Sequence, residues 1–150
     1  LWVDDNVKEG IVKDIQNNPP FSAVQTINVN WMSTHPSSYK MLSAHPQWKS
    51  GIRALEQSIN GKHYRYIPKG EIRNNQLFRN TIKDGDILLM ITRKKGLDTT
   101  HIGIASWHKD GLHLLNASSI HKKVIDEPMT LYTYMQKHPS QIGVRACRVL

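Results

Sequence analysis

The sequence predicts a mainly β fold, α+β overall, arranged as an antiparallel β-barrel or sandwich with short peripheral helices. From residue 82 onward, apolar runs alternate with turn-forming residues at the spacing of antiparallel strands. Helical spacing of apolar residues is confined to a shorter stretch, where Ile52, Leu55 and Ile59 recur on one face. With 150 residues, of which 39% are apolar, the chain has the size of one domain with its own core.

The first half of the chain gives the weaker structural signals. Residues 1–30 mix short apolar runs with Asn, Gln and Pro, and Asn-Asn-Pro-Pro at 17–20 predicts a break. Gly61 is a natural end for the helix that precedes it. The predicted elements of this half are a strand at 23–31, helical segments at 37–44 and 48–59, a short strand at 63–68, and a loop or short helix at 72–78.

The second half reads as short strands joined by turns. Residues 83–86 form a turn before an apolar run, and residues 96–100 return the chain to the next strand. Residues 108–111 are predicted to be a four-residue hairpin loop. The predicted elements are strands at 87–92, 101–107, 112–117 and 123–126, a short helix at 130–137, and a terminal strand at 142–150.

The charge balance narrows the classes of partner. Lys and Arg total 20 against 12 Asp and Glu, so the net charge is +8 and anionic partners such as nucleic acid, acidic lipid or wall polymers are compatible with it. The basic residues are scattered without the aromatic interleaving of a single-strand binder, which argues against nucleic acid. The sequence has no run of 18 apolar residues, so no membrane span is predicted.

A single cysteine, Cys147, bears on both disulfides and nucleophilic chemistry. One thiol cannot form an internal disulfide. It lies in the alternating terminal segment 142–150, whereas a nucleophilic cysteine is normally activated at a helix N-terminus or beside a base. We therefore expect Cys147 to be a small buried thiol.

Pairing of the two strands that flank residues 108–111 brings a histidine and an amide together. If Trp107 lies opposite Leu112, then His101 lies opposite Ser118 and shares a face with Asn116. Diagonal neighbours of this kind are separated by about 7–8 Å, which an imidazole and a carboxamide can bridge. An amide oxygen that accepts from one ring N–H would fix the tautomer and leave the other nitrogen free as a base.

Several short blocks of residues carry a family resemblance. Three lie in order within residues 85–119, and two lie upstream. The blocks are Gly85-Asp86 before a strand, Gly96-Leu97-Asp98 before His101-Ile102-Gly103-Ile104-Ala105, Leu114-Leu115-Asn116-Ala117-Ser118-Ser119, Trp31-Met32-Ser33-Thr34-His35-Pro36 with Tyr39, and Tyr66-Ile67-Pro68-Lys69. Together they resemble the bacterial N-acetylmuramoyl-L-alanine amidase-like family, some of whose members carry a xylanase label. That family is related to the NlpC-type papain-like cysteine peptidases of the cell wall.

The resemblance implies a cysteine amidase acting on peptidoglycan stem peptides, with no cofactor. His101 matches the catalytic base, and Asn116 falls on the third catalytic position, where the family more often has His. Relatives carry the nucleophilic Cys at a helix start upstream of these blocks, and no Cys occurs in residues 1–146. Since the sequence also begins like the interior of a chain, we expect a fragment that lacks a helical N-terminal portion. A periplasmic or secreted location follows from the substrate class.

The resemblance also suggests residues that line a cleft for the peptide. For each of them a turn-forming or capping role explains the residue type equally well. Gly103 is expected to keep the space beside the imidazole of His101 open. The candidate substrate-binding residues are Thr34, His35, Tyr39, Asp98, Thr100, Ser118 and Ser119.

Two other function classes stay open at this point. A zinc-dependent amidase is one, because His101, His108, His113 and His121 crowd one region, although no HExxH-like pair is present. In the predicted register, the side chains of His113 and His101 point to opposite faces of the sheet, which argues against a shared site. The other class is a non-catalytic domain, which either binds wall peptide or is an accessory domain of a larger enzyme. A glycan hydrolase is disfavoured because no carboxylate pair stands out.

Overall fold

One antiparallel sheet of eight strands organises the chain, and the computed structural model describes all of residues 1–150. Short helices and three single turns of 3₁₀ helix surround it. The strands are β1 (Val12–Ile15), β2 (Ala23–Thr26), β3 (His63–Pro68), β4 (Ile87–Thr92), β5 (Thr99–His108), β6 (Gly111–Ser118), β7 (Lys123–Asp126) and β8 (Gln141–Val149). The helices are α1 (Trp2–Lys8), α2 (Trp31–Thr34), α3 (Lys40–Ala44), α4 (Lys49–Ile59), α5 (Gln76–Thr81) and α6 (Leu131–Gln136).

The strand order is β2-β3-β8-β4-β5-β6-β7, and β1 pairs additionally with β8. Strand β8 pairs with β1, β3 and β4 and is the most continuously buried strand, since Gly143 to Cys147 are all inaccessible or nearly so. The predicted antiparallel, β-rich α+β class with short peripheral helices is confirmed. The sheet is open, with β2 and β7 at its edges, and does not close into a barrel.

Two faces of the sheet carry separate apolar clusters. On the first, which we call the α6 face, Leu131 and Met135 of α6 pack fully buried into a cluster of 15 residues. Each such side chain contributes about 1.5–3 kcal/mol of burial free energy. Thr130 starts this helix, since its side chain accepts a hydrogen bond from the Thr133 N–H. On the second, the α1 face, Val3 of α1 packs on a small cluster from β4 and β8.

Most predicted elements agree with the observed ones, and the exceptions have identifiable causes. The strand predicted at 23–31 is shorter in the structure. It ends at Thr26, and the short helix α2 begins at Trp31. The hairpin between β5 and β6 has two loop residues instead of four, because His108 pairs directly with Gly111. The sequence pattern did not predict α1 or β1, both within the first fifteen residues. The longest helix, α4, has 11 residues, and none of the helices has the length and apolarity needed to cross a membrane.

Candidate active site

The β5–β6 hairpin brings His101 and Asn116 into contact. Trp107 lies opposite Leu112 and Ile104 opposite Leu115, which is the register predicted from the sequence. His101 Nε2 is 2.9 Å from Asn116 Oδ1. A histidine and an amide 15 residues apart are thus joined by one hydrogen bond at the open end of the hairpin.

The orientation of the Asn116 amide is fixed by its surroundings. Its Nδ2 donates to Glu127 Oε1 at 3.1 Å and to the Leu114 carbonyl at 3.3 Å, both of which are acceptors. The Oδ1 atom must therefore face the imidazole, so Nε2–H of His101 is the donor. In the neutral ring this leaves Nδ1 of His101 with a free lone pair, as a general base requires.

Glu127 is a site residue that the sequence pattern did not reveal. Its side chain is only 5% exposed, and its backbone N–H donates to the Leu114 carbonyl at 2.9 Å just beyond the end of β7. An acidic residue between Asp126 and Pro128 is typical of an ordinary turn. Only the pairing of β7 with β6 brings this carboxylate within hydrogen-bond distance of the Asn116 amide.

His101 lies between two cavities. The smaller, of about 280 Å³, is polar and also contains Asn116 and Glu127. The larger, of about 460 Å³, lies against α1 and is mainly apolar. Of the candidate substrate-binding residues, Ser118 and Ser119 line the smaller cavity, Asp98 lines the larger, and Thr100 lines both.

Those four candidates differ in how free their polar atoms are. The Thr100 hydroxyl is buried without a hydrogen-bond partner. Ser118 Oγ accepts from the His121 N–H at 3.2 Å, and Asp98 Oδ1 accepts from the Thr99 N–H at 2.9 Å. Among them, Thr100 therefore has a hydroxyl that is unpaired and also closed to solvent.

The remaining candidates do not line either cavity. Thr34 Oγ1 donates to the Asn30 carbonyl at 2.8 Å, as expected for a short helical turn. The His35 ring stacks on Trp31 with centroids 3.9 Å apart, and Tyr39 is the residue that precedes α3. The structure thus keeps Thr34, His35 and Tyr39 apart from the contact between His101 and Asn116.

The expected role of Gly103 is wrong. A Cβ at this position would clash with the Leu114 side chain and approach the Leu115 carbonyl oxygen to 2.9 Å. Gly103 makes room for the neighbouring strand β6 and not for the imidazole. The physical requirement is close packing of β5 on β6 at this point.

Tyr134 of α6 is a further neighbour that the sequence did not identify. Its ring centroid lies 6.3 Å from that of His101, and it lines the smaller cavity. Burial and the nearby negative charge of Glu127 raise the pKa of the Tyr134 phenol above its usual value. The phenol therefore stays protonated as a hydrogen-bond donor near neutral pH.

Cys147 is a buried thiol, as expected. Burial, together with the Asp14 carboxylate, raises the pKa of this thiol to about 11. Ile87 of β4 lies opposite Cys147, whereas Met90 lies opposite His101. The two residues are thus separated by about 10 Å along the strands and about 10 Å across them, and they occupy opposite faces. His101 therefore cannot deprotonate this thiol.

The histidines grouped in the zinc alternative divide between two places. His108 lies seven positions after His101 on β5, or about 23 Å at the rise of an extended strand. His108 and His113 share one face with Asp126 of β7 and stack with ring centroids 3.8 Å apart. His101 contacts neither of them, and His121 lies beyond the end of β6.

Comparisons with known proteins identify the family of this chain. A family model described as N-acetylmuramoyl-L-alanine amidase-like matches residues 1–144. A crystal structure of an N-acetylmuramoyl-L-alanine amidase from Bacteroides uniformis has a TM-score of 0.90 and 31% identity, over 99% of this chain and 61% of that one. A Bacteroides fragilis structure named "putative xylanase" has a TM-score of 0.88 and 32% identity, over 99% of this chain and 63% of that one.

The chain therefore spans less than two thirds of the length of either structure. None of the curated proteins matches it. The family model covers nearly all of the chain, and both structural relatives are more than 30% identical. This chain belongs to the N-acetylmuramoyl-L-alanine amidase-like family.

Proposed function

We propose that this chain supplies the catalytic base and its orienting residues to a cysteine amidase that hydrolyses an amide bond in peptidoglycan stem peptides. The observation that carries the proposal is the 2.9 Å hydrogen bond from His101 Nε2 to an Asn116 amide that Glu127 holds in one orientation. A ring fixed in one tautomer, with Nδ1 unoccupied, is suited to take and return a proton. Membership of an amidase-like family supports the reaction class.

The nucleophile in this proposal is a cysteine outside residues 1–150, carried by a helical N-terminal portion of the same protein. The buried Cys147, with its raised pKa, is unsuited to the role. The greater length of the two relatives is compatible with such a portion. A cysteine at a helix start beside His101 would have its thiol pKa lowered by the helix dipole and the imidazole.

The reaction then proceeds by acyl transfer. His101 Nδ1 takes the proton of the thiol, and the thiolate sulfur attacks the amide carbonyl carbon to form a tetrahedral intermediate. Collapse breaks the C–N bond while the imidazolium returns its proton to the leaving amine. Water, deprotonated by the same nitrogen, hydrolyses the resulting thioester and regenerates the thiol. The Asn116 oxygen holds the ring in place throughout.

The cavities beside His101 are the proposed peptide-binding cleft. Thr100, Asp98, Ser118 and Ser119 line these cavities and are the proposed contacts for the peptide. Thr34, His35 and Tyr39 remain proposed contacts for a more distant part of the substrate. The net charge of +8 favours association with anionic wall material, and we propose a periplasmic or secreted location.

A non-catalytic domain that binds wall peptide is the second candidate. The observation that favours it is that the only thiol within the 150 residues is buried. In that case the cavities beside His101 would bind peptide without cleavage. The isolated chain is proposed to lack hydrolytic activity in both cases, so the complete protein is needed to separate them.

The test is muropeptide hydrolysis by the complete protein, followed by chromatography of the released peptides. His101→Ala is expected to lower kcat by on the order of 10²–10⁴-fold, because the base for both acylation and deacylation is lost. Alanine replacement of a cysteine upstream of residue 1 is expected to abolish cleavage.

His63→Ala is the matched control, because His63 is also a strand histidine bonded to a neighbouring side chain, Thr26, at 2.9 Å. This variant should retain the wild-type rate. Undiminished cleavage by His101→Ala, in protein shown to be folded, would overturn the proposal. Binding of muropeptide without any cleavage by the wild type would favour the second candidate.

A further inference from the structure

A second cluster of ionisable side chains lies at the closed end of the β5–β6 hairpin, on the sheet face opposite to that of Asn116. His108 ends β5, His113 lies on β6 and Asp126 ends β7, and one donor atom from each lies within 4.8 Å of the others. Asp110 in the hairpin loop adds a carboxylate 2.7 Å from His113 Nε2. Three adjacent strands and their loop thus each contribute one group.

The hydrogen bonds of His113 leave a place for a cation. Its Nδ1 lies 2.6 Å from the Glu127 backbone carbonyl, which can only accept, so Nδ1 carries the proton. In the neutral ring, Nε2 then presents a lone pair to Asp110 Oδ1 at 2.7 Å. Two acceptors at that distance require a proton or a metal ion between them.

His108 and Asp126 form a second contact of the same kind. His108 Nε2 lies 2.7 Å from Asp126 Oδ2, and the hydroxyl of Ser106 donates to the same oxygen at 2.9 Å. If protons alone satisfied both contacts, His113 would be an imidazolium whose ring stacks on that of His108 with centroids 3.8 Å apart. One divalent cation in place of the two protons would satisfy both contacts at once, with each ring neutral and protonated on Nδ1.

We propose that His108, His113 and Asp126, with Asp110 as the fourth ligand, form a zinc site that joins β5, β6 and β7. Two imidazoles and two carboxylates are a donor set suited to tetrahedral Zn²⁺, and imidazole ligands disfavour Mg²⁺ and Ca²⁺. The Nδ1 bond of His113 to a backbone carbonyl is the contact that typically orients a metal-binding histidine.

Zinc binding requires the ligand atoms to change their separations. Tetrahedral coordination at about 2.0–2.2 Å separates ligand atoms by about 3.3–3.5 Å. The paired atoms at 2.7 Å must therefore part slightly, and the wider separations must close. His108, Asp110 and Asp126 can move because they are solvent-exposed, while His113, with 2% exposure of its side chain, acts as the fixed ligand. The site would stiffen the edge of the sheet far from His101.

The experiment is calorimetric titration of Zn²⁺ into the complete protein after removal of metals with a chelator. One zinc should bind at this site and raise the Tm. His108→Gln and Asp126→Asn are each expected to weaken that binding about tenfold or more, because each removes one ligand while nearly preserving the side-chain shape. Both positions are solvent-exposed, so we expect both variants to fold.

His63→Gln is the matched control, since His63 is likewise an exposed strand histidine in contact with a hydroxyl. It should leave zinc affinity unchanged. His101→Ala should also leave it unchanged, which separates this site from any zinc bound at the proposed active site. Absence of saturable zinc binding overturns the inference, and so does wild-type affinity in both His108→Gln and Asp126→Asn.

Discussion

The two ends of the β5–β6 hairpin each present a histidine, and the partners of the two rings differ. At the open end, His101 has one nitrogen bonded to a neutral amide oxygen and the other free. At the closed end, both nitrogens of His113 face acceptors, a backbone carbonyl and a carboxylate. The first arrangement suits proton transfer and the second suits cation binding. Residue type alone therefore does not decide the chemistry of a histidine.

Replacing Asn116 with Ala should separate the behaviour of the two ends of the hairpin most clearly. Loss of the amide oxygen leaves the His101 ring free to rotate and to adopt the wrong tautomer, so we expect kcat for muropeptide hydrolysis to fall on the order of 10²-fold. Zinc affinity at the closed end should not change, because Asn116 lies on the other face of β6. Steady-state kinetics and zinc titration on the same preparation measure both effects.

A wild-type kcat in Asn116→Ala would contradict the orienting role. A loss of zinc binding in the same variant would contradict the independence of the two ends. Since Asn116 is 5% exposed, thermal unfolding must accompany both measurements to separate loss of function from loss of fold.

The contact between His101 and Asn116 could be predicted because it depends on local information. A two-residue loop and the alternation of β5 and β6 fix the register, and register fixes which side chains share a face. Even a loop predicted two residues too long left the pairing of Trp107 with Leu112 correct. The partner of His101 therefore followed from the pattern of a single hairpin.

Other parts of the structure depend on distant chain segments and could not be predicted. Strand β1 pairs with β8, for example Val12 opposite Val149, and four residues carry too weak a pattern to indicate that. Glu127 becomes a site residue only when β7 joins the hairpin. The misassigned role of Gly103 has the same origin, since the close approach of Leu114 is a packing property.

Gly103 lies on β5 between His101 and His108. The substitution Gly103→Ala tests whether the close packing of β5 on β6 is needed at both the proposed active site and the proposed zinc site. The added Cβ would clash with the Leu114 side chain and the Leu115 carbonyl oxygen, and a backbone atom cannot rotate away. We expect a loss of about 1–3 kcal/mol in the free energy of unfolding, measured by urea denaturation. Both the hydrolysis rate and zinc affinity should then suffer together.

Gly51→Ala is the control for this substitution. Gly51 lies within α4, and a Cβ added there would meet no atom within 4 Å. Alanine at this position should therefore stabilise the protein by about 0.5–1 kcal/mol. Equal stability of the Gly103→Ala variant and the wild type would mean that β5 and β6 can separate at little cost.

Glu127 contacts both ends of the β5–β6 hairpin through different atoms. Its variants are expected to have the smallest effect on kcat and to leave zinc affinity unchanged. Its carboxylate accepts from Asn116 at 3.1 Å, and its backbone carbonyl accepts from His113 at 2.6 Å. Glu127→Ala frees the Asn116 amide to flip, so kcat should fall about tenfold with KM unchanged. Glu127→Gln, whose amide oxygen can still accept from Asn116, should restore most of that rate.

Zinc affinity should be the same in both Glu127 variants, because neither removes the backbone carbonyl that orients His113. A purely structural role would instead lower the Tm and affect hydrolysis and zinc binding alike, and glutamine would offer no selective rescue of kcat. If Glu127→Ala left kcat unchanged, the Leu114 carbonyl alone would suffice to orient Asn116. The arrangement of His101 and Asn116 would then depend only on residues of the β5–β6 hairpin.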